Sequence, residues 1–293
     1  MVKIMKIKAK VFLSVFVSLV LLSSVFVLAG KPDFSTADVV PSNGNAVVSI
    51  PENAVEVSQG VFDLGLGSDE GRLVQGYAFV HYKNSVNSEK PAGVGGGKNG
   101  ASACYGYIAN GAKWRNLESW TINPANSRGL DEANVFSNLD LDIVKWEDAA
   151  DGVIDGNSLN ILGTGNSTSN TLVADTSSTD GVNEVYFADV SNSDAIAVTI
   201  VWYTIGSPRF KQIVEWDQVY DDVDFDWSLE ASGVAGKMDI ENIVTHELGH
   251  TFGMGDLYDS NCANETMYGY ASEAETNKRT LESGDIEGVS KLY

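Results

Sequence analysis

The fold is decided by one stretch near the C-terminus, Ile240-Glu-Asn-Ile-Val-Thr-His-Glu-Leu-Gly-His-Thr-Phe-Gly-Met-Gly-Asp256. Its first apolar side chains recur at the three- and four-residue spacing of a helix face: Ile240, Ile243 and Val244. This spacing predicts a helix over about 239–252 that docks on a core. Because His246 and His250 lie four positions apart, such a helix projects both imidazoles from one face.

Two imidazoles on one helix face are within reach of a single zinc ion, with bonds of about 2.0 to 2.1 Å. Glu247 lies about 100° around the helix from His246 at 3.6 residues per turn, so it can hold a water molecule beside the ion without binding the ion. The chain has only three histidines, and two of them have this spacing. Two unrelated histidines on an ordinary helix are the alternative interpretation.

A catalytic zinc needs a third protein ligand and an open position for water. The remaining histidine, His81, lies in the N-terminal part of the chain, which makes it a poor candidate. Gly253 tolerates a left-handed backbone, so the helix can end there and the chain can return Asp256 to the ion. Asp259 is a rival third ligand, although its offset is less suitable.

The residues from His246 to Asp256 resemble the metzincin signature His-Glu-x-x-His-x-x-Gly-x-x-His, with aspartate in the last position as in small bacterial metzincins of the snapalysin type. Thr266-Met267-Tyr268-Gly269 resembles the Met-turn of that clan, with Met267 as its methionine. Residues 281–293 are similar to the C-terminal helix of the matrixins. Upstream, three segments are similar to the last three strands of the matrixin sheet: 183–188, 195–203 and 214–228.

The resemblance covers about 104–293 and implies an α+β, metzincin-like catalytic domain. Its elements would be a mixed, mostly parallel twisted sheet with an antiparallel edge strand, an active-site helix, the Met-turn and a C-terminal helix. The implied activity is that of a zinc metalloendopeptidase with Glu247 as general base. A protein or peptide substrate would lie extended along the edge strand near 195–203.

The chain departs from the matrixin pattern in two respects. Asp256 replaces histidine as third ligand, and the N-terminal part contains no cysteine-switch motif of the matrixin type. Tyr268 and Tyr270 are interpreted as structural residues.

Two other functions stay open. A gluzincin would take a later glutamate, Glu273 or Glu275, as its third ligand, but Gly253 and Asp256 argue against it. A non-catalytic protein that binds zinc or calcium at the cell surface is the alternative from a different class. The intact Glu247 argues against that role.

The N-terminus predicts export. Four lysines precede an apolar run over 11–28, so residues 1–29 are predicted to be a signal peptide cleaved after Ala29. No membrane span is then expected to remain, whereas an uncleaved run would anchor the protein at the cell surface. Residues 30–82 are predicted to be an N-terminal segment with a small hairpin, either a propeptide or an accessory module. A Gly-rich linker over 83–103 then leads to the catalytic domain, 104–293.

The formal net charge is −21, from 40 acidic and 19 basic residues. Such a polyanion is repelled by nucleic acid and by anionic lipid, so neither is an expected partner. An acidic cluster suggests calcium, with a solvated acidic surface as the alternative; its residues are Asp217, Asp221, Asp222, Asp224 and Asp226.

The chain has two cysteines, Cys104 and Cys262. In an exported protein, this even count predicts one disulfide. Reduced buried thiols, or a Cys104 thiolate that caps the metal, are the alternatives.

Overall fold

The computed structural model describes residues 47–83, 103–206 and 211–293, and these belong to one unit of the chain. The predicted signal peptide and nearly all of the predicted linker lie outside these residues. None of the described helices has the length and apolar character that crossing a bilayer requires.

A nine-stranded sheet is the centre of the described residues. Its strands are β1 Val55–Ser58, β2 Val61–Asp69, β3 Arg72–Lys83, β4 Trp120–Asn123, β5 Gly165–Ser167, β6 Asn183–Ala188, β7 Ala195–Thr204, β8 Ile213–Asp221 and β11 Tyr270–Ala271. A separate pair consists of β9 Trp227–Ser228 and β10 Met238–Asp239.

The strand order is β1-β2-β3-β7-β8-β6-β4-β5, with β11 paired to β3. From β8 to β5 the neighbours are parallel, and β7 is antiparallel to β8. This part of the sheet, with the helices, bears out the predicted α+β class. The prediction that β7 is an edge strand is wrong, because β3 pairs with β7 from Val74 to Tyr82.

Residues 30–82 are predicted to form a segment apart from the catalytic domain. The structure differs, because β2 and β3 form the predicted hairpin but continue the main sheet. The buried apolar side chains form two cores, a helix-side core that includes residues of the helices and an outer core that does not. Strand β3 contributes to both: Val74, Ala78 and Val80 lie in the outer core, whereas Phe79 lies in the helix-side core. The hairpin therefore shares both cores with the rest of the sheet.

Three helices are described, α1 Glu132–Ala149, α2 Ile240–Thr251 and α3 Ser283–Leu292, close to the predicted ranges. Asp131 and Asp239 cap α1 and α2, each accepting the N–H of the residue three positions on. Glu282 caps α3, and the Asp285 side chain accepts its N–H at 3.0 Å.

Helix α2 is buried against the sheet on one side and α1 on the other. The apolar stripe predicted from its sequence lies in the helix-side core, with Ile243 and Leu248 fully buried. The indole of Trp146 on α1 donates to the Thr245 carbonyl at 2.8 Å, which fixes the two helices against each other. This packing positions the histidine face of α2 rigidly beneath β7 and β3.

The predicted disulfide is confirmed: Cys104 and Cys262 are bonded, and they lie 158 positions apart in the chain. The bond ties the start of the predicted catalytic domain to the segment after α2. Because the closed loop is long, the bond restricts the unfolded chain strongly.

We expect Cys104→Ala/Cys262→Ala to lower the free energy of unfolding by up to about 5 kcal/mol, the loop-entropy value for a loop of this length. Urea denaturation of the variant and of the oxidised parent measures the difference. An unchanged midpoint would contradict the role given to the bond.

The N-terminus of α3 supports the segment around Met267. The buried carboxylate of Asp285 accepts the N–H of Thr266 at 2.7 Å and of Met267 at 3.2 Å. Burial raises the pKa of Asp285 to about 6, against the opposing effect of these donors. Asp285 therefore connects α3 to the predicted Met-turn.

We expect Asp285→Ala to lower the free energy of unfolding by about 3 kcal/mol, because two buried N–H groups lose their acceptor. The matched control is Glu287→Ala on the same helix, whose side chain is exposed and pairs with Lys291. Its expected change is below about 0.5 kcal/mol. Equal losses in the two variants, measured by urea denaturation, would show that Asp285 does not support the Met267 segment.

Candidate active site

The structure brings the three predicted metal ligands together. The Nε2 atoms of His246 and His250 lie 3.2 and 3.5 Å from Oδ1 of Asp256. Two ligand atoms at zinc distance and a tetrahedral angle are about 3.4 Å apart. The His246 Nε2 and Asp256 Oδ1 atoms are buried without a hydrogen-bond partner among the described residues. The donor set and its spacing therefore fit a zinc ion.

Backbone carbonyls orient both imidazoles. The Nδ1 of His246 lies 2.7 Å from the Thr266 carbonyl, and that of His250 lies 3.0 Å from the Met254 carbonyl. A proton on Nδ1 satisfies these carbonyls and leaves Nε2 free to bind a metal. Gly253, with a φ of 96°, makes the turn that allows Met254 and Asp256 to return to the helix end.

Met267 lies directly below the histidines. A Cβ atom on Gly249 would lie 2.1 Å from the Met267 sulfur and 2.8 Å from the Trp146 ring. Glycine between the two histidines is therefore required by the close approach of Met267 to α2. The assignment of Met267 to a Met-turn stays a prediction.

Glu247 is fully buried and both of its carboxylate oxygens are engaged. Oε1 lies 2.9 Å from Nδ1 of His81, and Oε2 accepts the Thr199 hydroxyl at 2.5 Å. His81, predicted to be a poor candidate for the third ligand, nevertheless lies beside the proposed base. His81 does not belong to the group formed by His246, His250 and Asp256. It forms a second group with His246 and Glu247, in which one nitrogen or oxygen atom of each side chain lies within 4.8 Å of the others.

Burial sets the protonation of the site. It lowers the pKa of His246 and of His250, and it lowers the pKa of His81 to about 3, so these imidazoles lose their protons more readily than they would in water. Burial opposes ionisation of Asp256, but His250 and His246 outweigh it and lower its pKa to about 2. Neutral imidazole and ionised carboxylate are the forms that bind zinc. Burial raises the pKa of Glu247, as suits a group that must accept a proton.

The rival ligands are engaged elsewhere. Asp259 caps a short 3-10 helix and accepts the Asn261 N–H at 3.0 Å. Glu273 pairs with Lys83 at 2.6 Å on the surface, and Glu275 pairs with Lys278 at 2.9 Å. Tyr270 accepts a hydrogen bond from Gln59 at 2.7 Å. These contacts leave Asp256 as the carboxylate that faces both histidines.

The acidic residues predicted to bind calcium do not form one cluster. Asp221 and Asp224 converge with Asp189, which the sequence pattern did not identify. Asp226 instead pairs with Arg128 at 2.8 Å, and Asp222 accepts the Ser127 N–H at 2.5 Å. Asp217 accepts the N–H of Asp175 and that of Glu184.

Three residues near the site escape sequence reasoning: His81, Thr199 and Tyr258. Thr199 is an ordinary strand residue by pattern, and Tyr258 lies between Asp256 and the Gln59 carbonyl, 3.4 and 3.0 Å from them. The only signal that could identify His81 is its rarity, since it is the one histidine outside the signature. Its position depends on strand pairing, which the spacing of residues does not reveal.

Residues 173–293 match the family model of the matrixins, peptidase family M10. This segment contains β6, β7, β8, α2, α3 and every proposed zinc ligand. No curated protein matches the chain. The family match together with the mixed sheet supports a matrixin-like domain, and with it a zinc metallopeptidase in general.

Proposed function

We propose that this protein is an exported, zinc-dependent metalloendopeptidase whose metal is held by His246, His250 and Asp256. The observation that supports it most is the convergence of two imidazole nitrogens and one carboxylate oxygen in a buried site, with a second carboxylate beside them. Export is inferred from the signal-like N-terminus. The substrate class would be proteins or peptides.

A zinc ion in this site would polarise the scissile carbonyl and lower the pKa of a water molecule towards about 7. Glu247 is the proposed general base. It would accept one proton from the water whose oxygen attacks the carbonyl carbon, and deliver that proton to the amine as the C–N bond breaks. Thr199 would hold one Glu247 oxygen in place through its hydroxyl.

Two alternatives are weaker. In a gluzincin, Glu273 or Glu275 would face the histidines, but both carboxylates pair with lysines. A non-catalytic zinc protein has no need of a carboxylate placed as Glu247 is. Chelator-sensitive hydrolysis of casein would exclude this second alternative.

Two variants separate the base from the ligand. We expect Glu247→Gln to keep stoichiometric zinc while hydrolysis of a quenched peptide falls at least about 100-fold, the usual contribution of general base catalysis. We expect Asp256→Ala to lose both zinc and activity.

Elemental analysis after dialysis measures the zinc, and o-phenanthroline provides the metal-free reference. Asp259→Ala is the matched control and should retain zinc. Full activity of Glu247→Gln would remove the proposed base, and unchanged zinc affinity of Asp256→Ala would point to another ligand.

Calcium is the second proposed ion, bound by Asp189, Asp221 and Asp224. Burial raises the pKa of all three carboxyl groups, that of Asp221 to about 7, so a divalent cation would relieve an unfavourable accumulation of negative charge. We expect calcium to raise the melting temperature, since a ligand at about 100 times its Kd stabilises by about 2.7 kcal/mol.

In this test Asp224→Asn should abolish the calcium-dependent shift. Asp226→Asn is the matched control, because Asp226 pairs with Arg128 instead. A shift that survives in Asp224→Asn, or that is absent from the parent, would contradict the assignment.

A further inference from the structure

The proposed catalytic centre is closed. His246 and Glu247 are 0% exposed and His250 is 1% exposed. A peptide bond must approach within a few ångströms of both the base and the metal ligands to be hydrolysed. In this conformation the protein itself occupies that space.

The occupant is the second half of β3. On one side it pairs antiparallel with β7, in the register of Phe79 with Thr199 and His81 with Ala197. On the other side Tyr82 and Lys83 pair parallel with β11. The end of β3 thus lies between two strands as an added strand, the arrangement by which extended peptides bind to sheet edges.

The inward side chains of β3 cover the proposed ligands one by one. The Phe79 ring stacks on His250 with the centroids 4.3 Å apart, and the His81 ring lies 4.1 Å from His246. Because His81 also lies 2.9 Å from Glu247, the proposed base faces the protein's own imidazole where a substrate and its water would have to be.

A few polar contacts hold the end of β3 and a residue just before β2 against neighbouring segments. Lys83 pairs with Glu273 at 2.6 Å, and Gln59, just before β2, donates to the Tyr270 hydroxyl at 2.7 Å. Tyr258 in turn donates to the Gln59 carbonyl. These contacts connect the hairpin to the segments that follow α2 and Met267.

We propose that β3 is an internal inhibitory strand, which occupies the peptide-binding groove between β7 and β11 and must leave it before substrate can bind. The proposal rests on the function proposed above and adds to it the form of substrate, an extended peptide that replaces β3. A strand in the same chain competes at a high effective concentration, about millimolar for a short flexible connection, so it excludes weakly binding peptides.

An engineered disulfide between β3 and β7, called the lock below, can be formed and reduced and so tests the proposal in the full chain. Val80 donates its N–H to the Gly60 carbonyl on the β2 side, so Val80 and Val198 face each other without hydrogen bonds between them. Such pairs have Cα atoms about 4.5 Å apart, within the range of a disulfide. Both side chains lie in the outer core, away from the histidines. The variant is Val80→Cys/Val198→Cys.

We expect the zinc-loaded, oxidised lock to hydrolyse a quenched peptide at least ten-fold more slowly than the same variant after mild reduction. The parent protein treated with the same reductant is the control for reduction of the bond between Cys104 and Cys262. Equal, measurable rates for the oxidised and reduced lock would overturn the proposal, because peptide could then be cleaved with β3 held in place.

Hydrogen exchange of the β7 amides is the second readout and needs neither zinc nor activity. We expect these amides to exchange at least ten-fold faster in the reduced lock than in the oxidised one, because β3 can then open. If every form is inactive, the peptidase proposal fails, and exchange alone decides on the strand. Equal exchange in the two forms would overturn the inhibitory strand.

An opening variant completes the test. A Cβ atom at Gly76 would lie 2.7 Å from the Trp202 ring of β7, so Gly76→Val should push β3 away from β7. We expect it to hydrolyse the peptide faster than the parent. A folded Gly76→Val protein with faster β7 exchange but the parent's activity would overturn the proposal. If this variant does not fold by circular dichroism, the lock decides.

Discussion

The site depends on the close approach of Asp256 to His246 and His250, whose Nε2 atoms lie 3.2 and 3.5 Å from its Oδ1. A buried charge without a compensating cation is strongly unfavourable, and so are buried nitrogen and oxygen atoms that lack hydrogen-bond partners. Among the described residues, Nε2 of His246 and Oδ1 of Asp256 have no hydrogen-bond partner, and the proposed ion would satisfy both atoms. The surrounding elements serve to hold these atoms at ion-binding distance of one another.

Successive layers of the protein provide this support. Carbonyls of Thr266 and Met254 orient the imidazole rings, and Met267 packs on α2 at Gly249, between the two histidines. Asp285 in turn holds the backbone of the Met267 segment, and the disulfide ties down the chain that precedes it. These contacts orient the proposed zinc ligands, as precise metal sites require.

Under the proposed function, the chain both forms a peptide-binding groove and fills it with β3. Strand β7 offers backbone groups to an extended partner, and β3 takes them up together with the space above the histidines. The same hydrogen bonds that would bind a substrate now stabilise the closed form. The pairing of β3 with β7 therefore stabilises the closed fold and, under the proposal, excludes substrate.

The sequence alone determined the elements whose causes are local. Helix α2 and the convergence of His246, His250 and Asp256 follow from side-chain spacing and from a glycine turn within a few residues. The disulfide was predictable as well, because only one pairing exists for two cysteines. Residue composition also predicted a hairpin over the residues that form β2 and β3, since alternation and turn residues act at short range.

Only the tertiary structure decided where that hairpin lies. The position of His81 on Glu247, the loss of β7 as an edge and the convergence of Asp189 with Asp221 all involve residues far apart in sequence. A strand's alternation shows which faces are apolar but does not identify the strand beside it. That choice depends on which buried surfaces match once the whole chain is packed, and on the hydrogen bonds that pairing then completes.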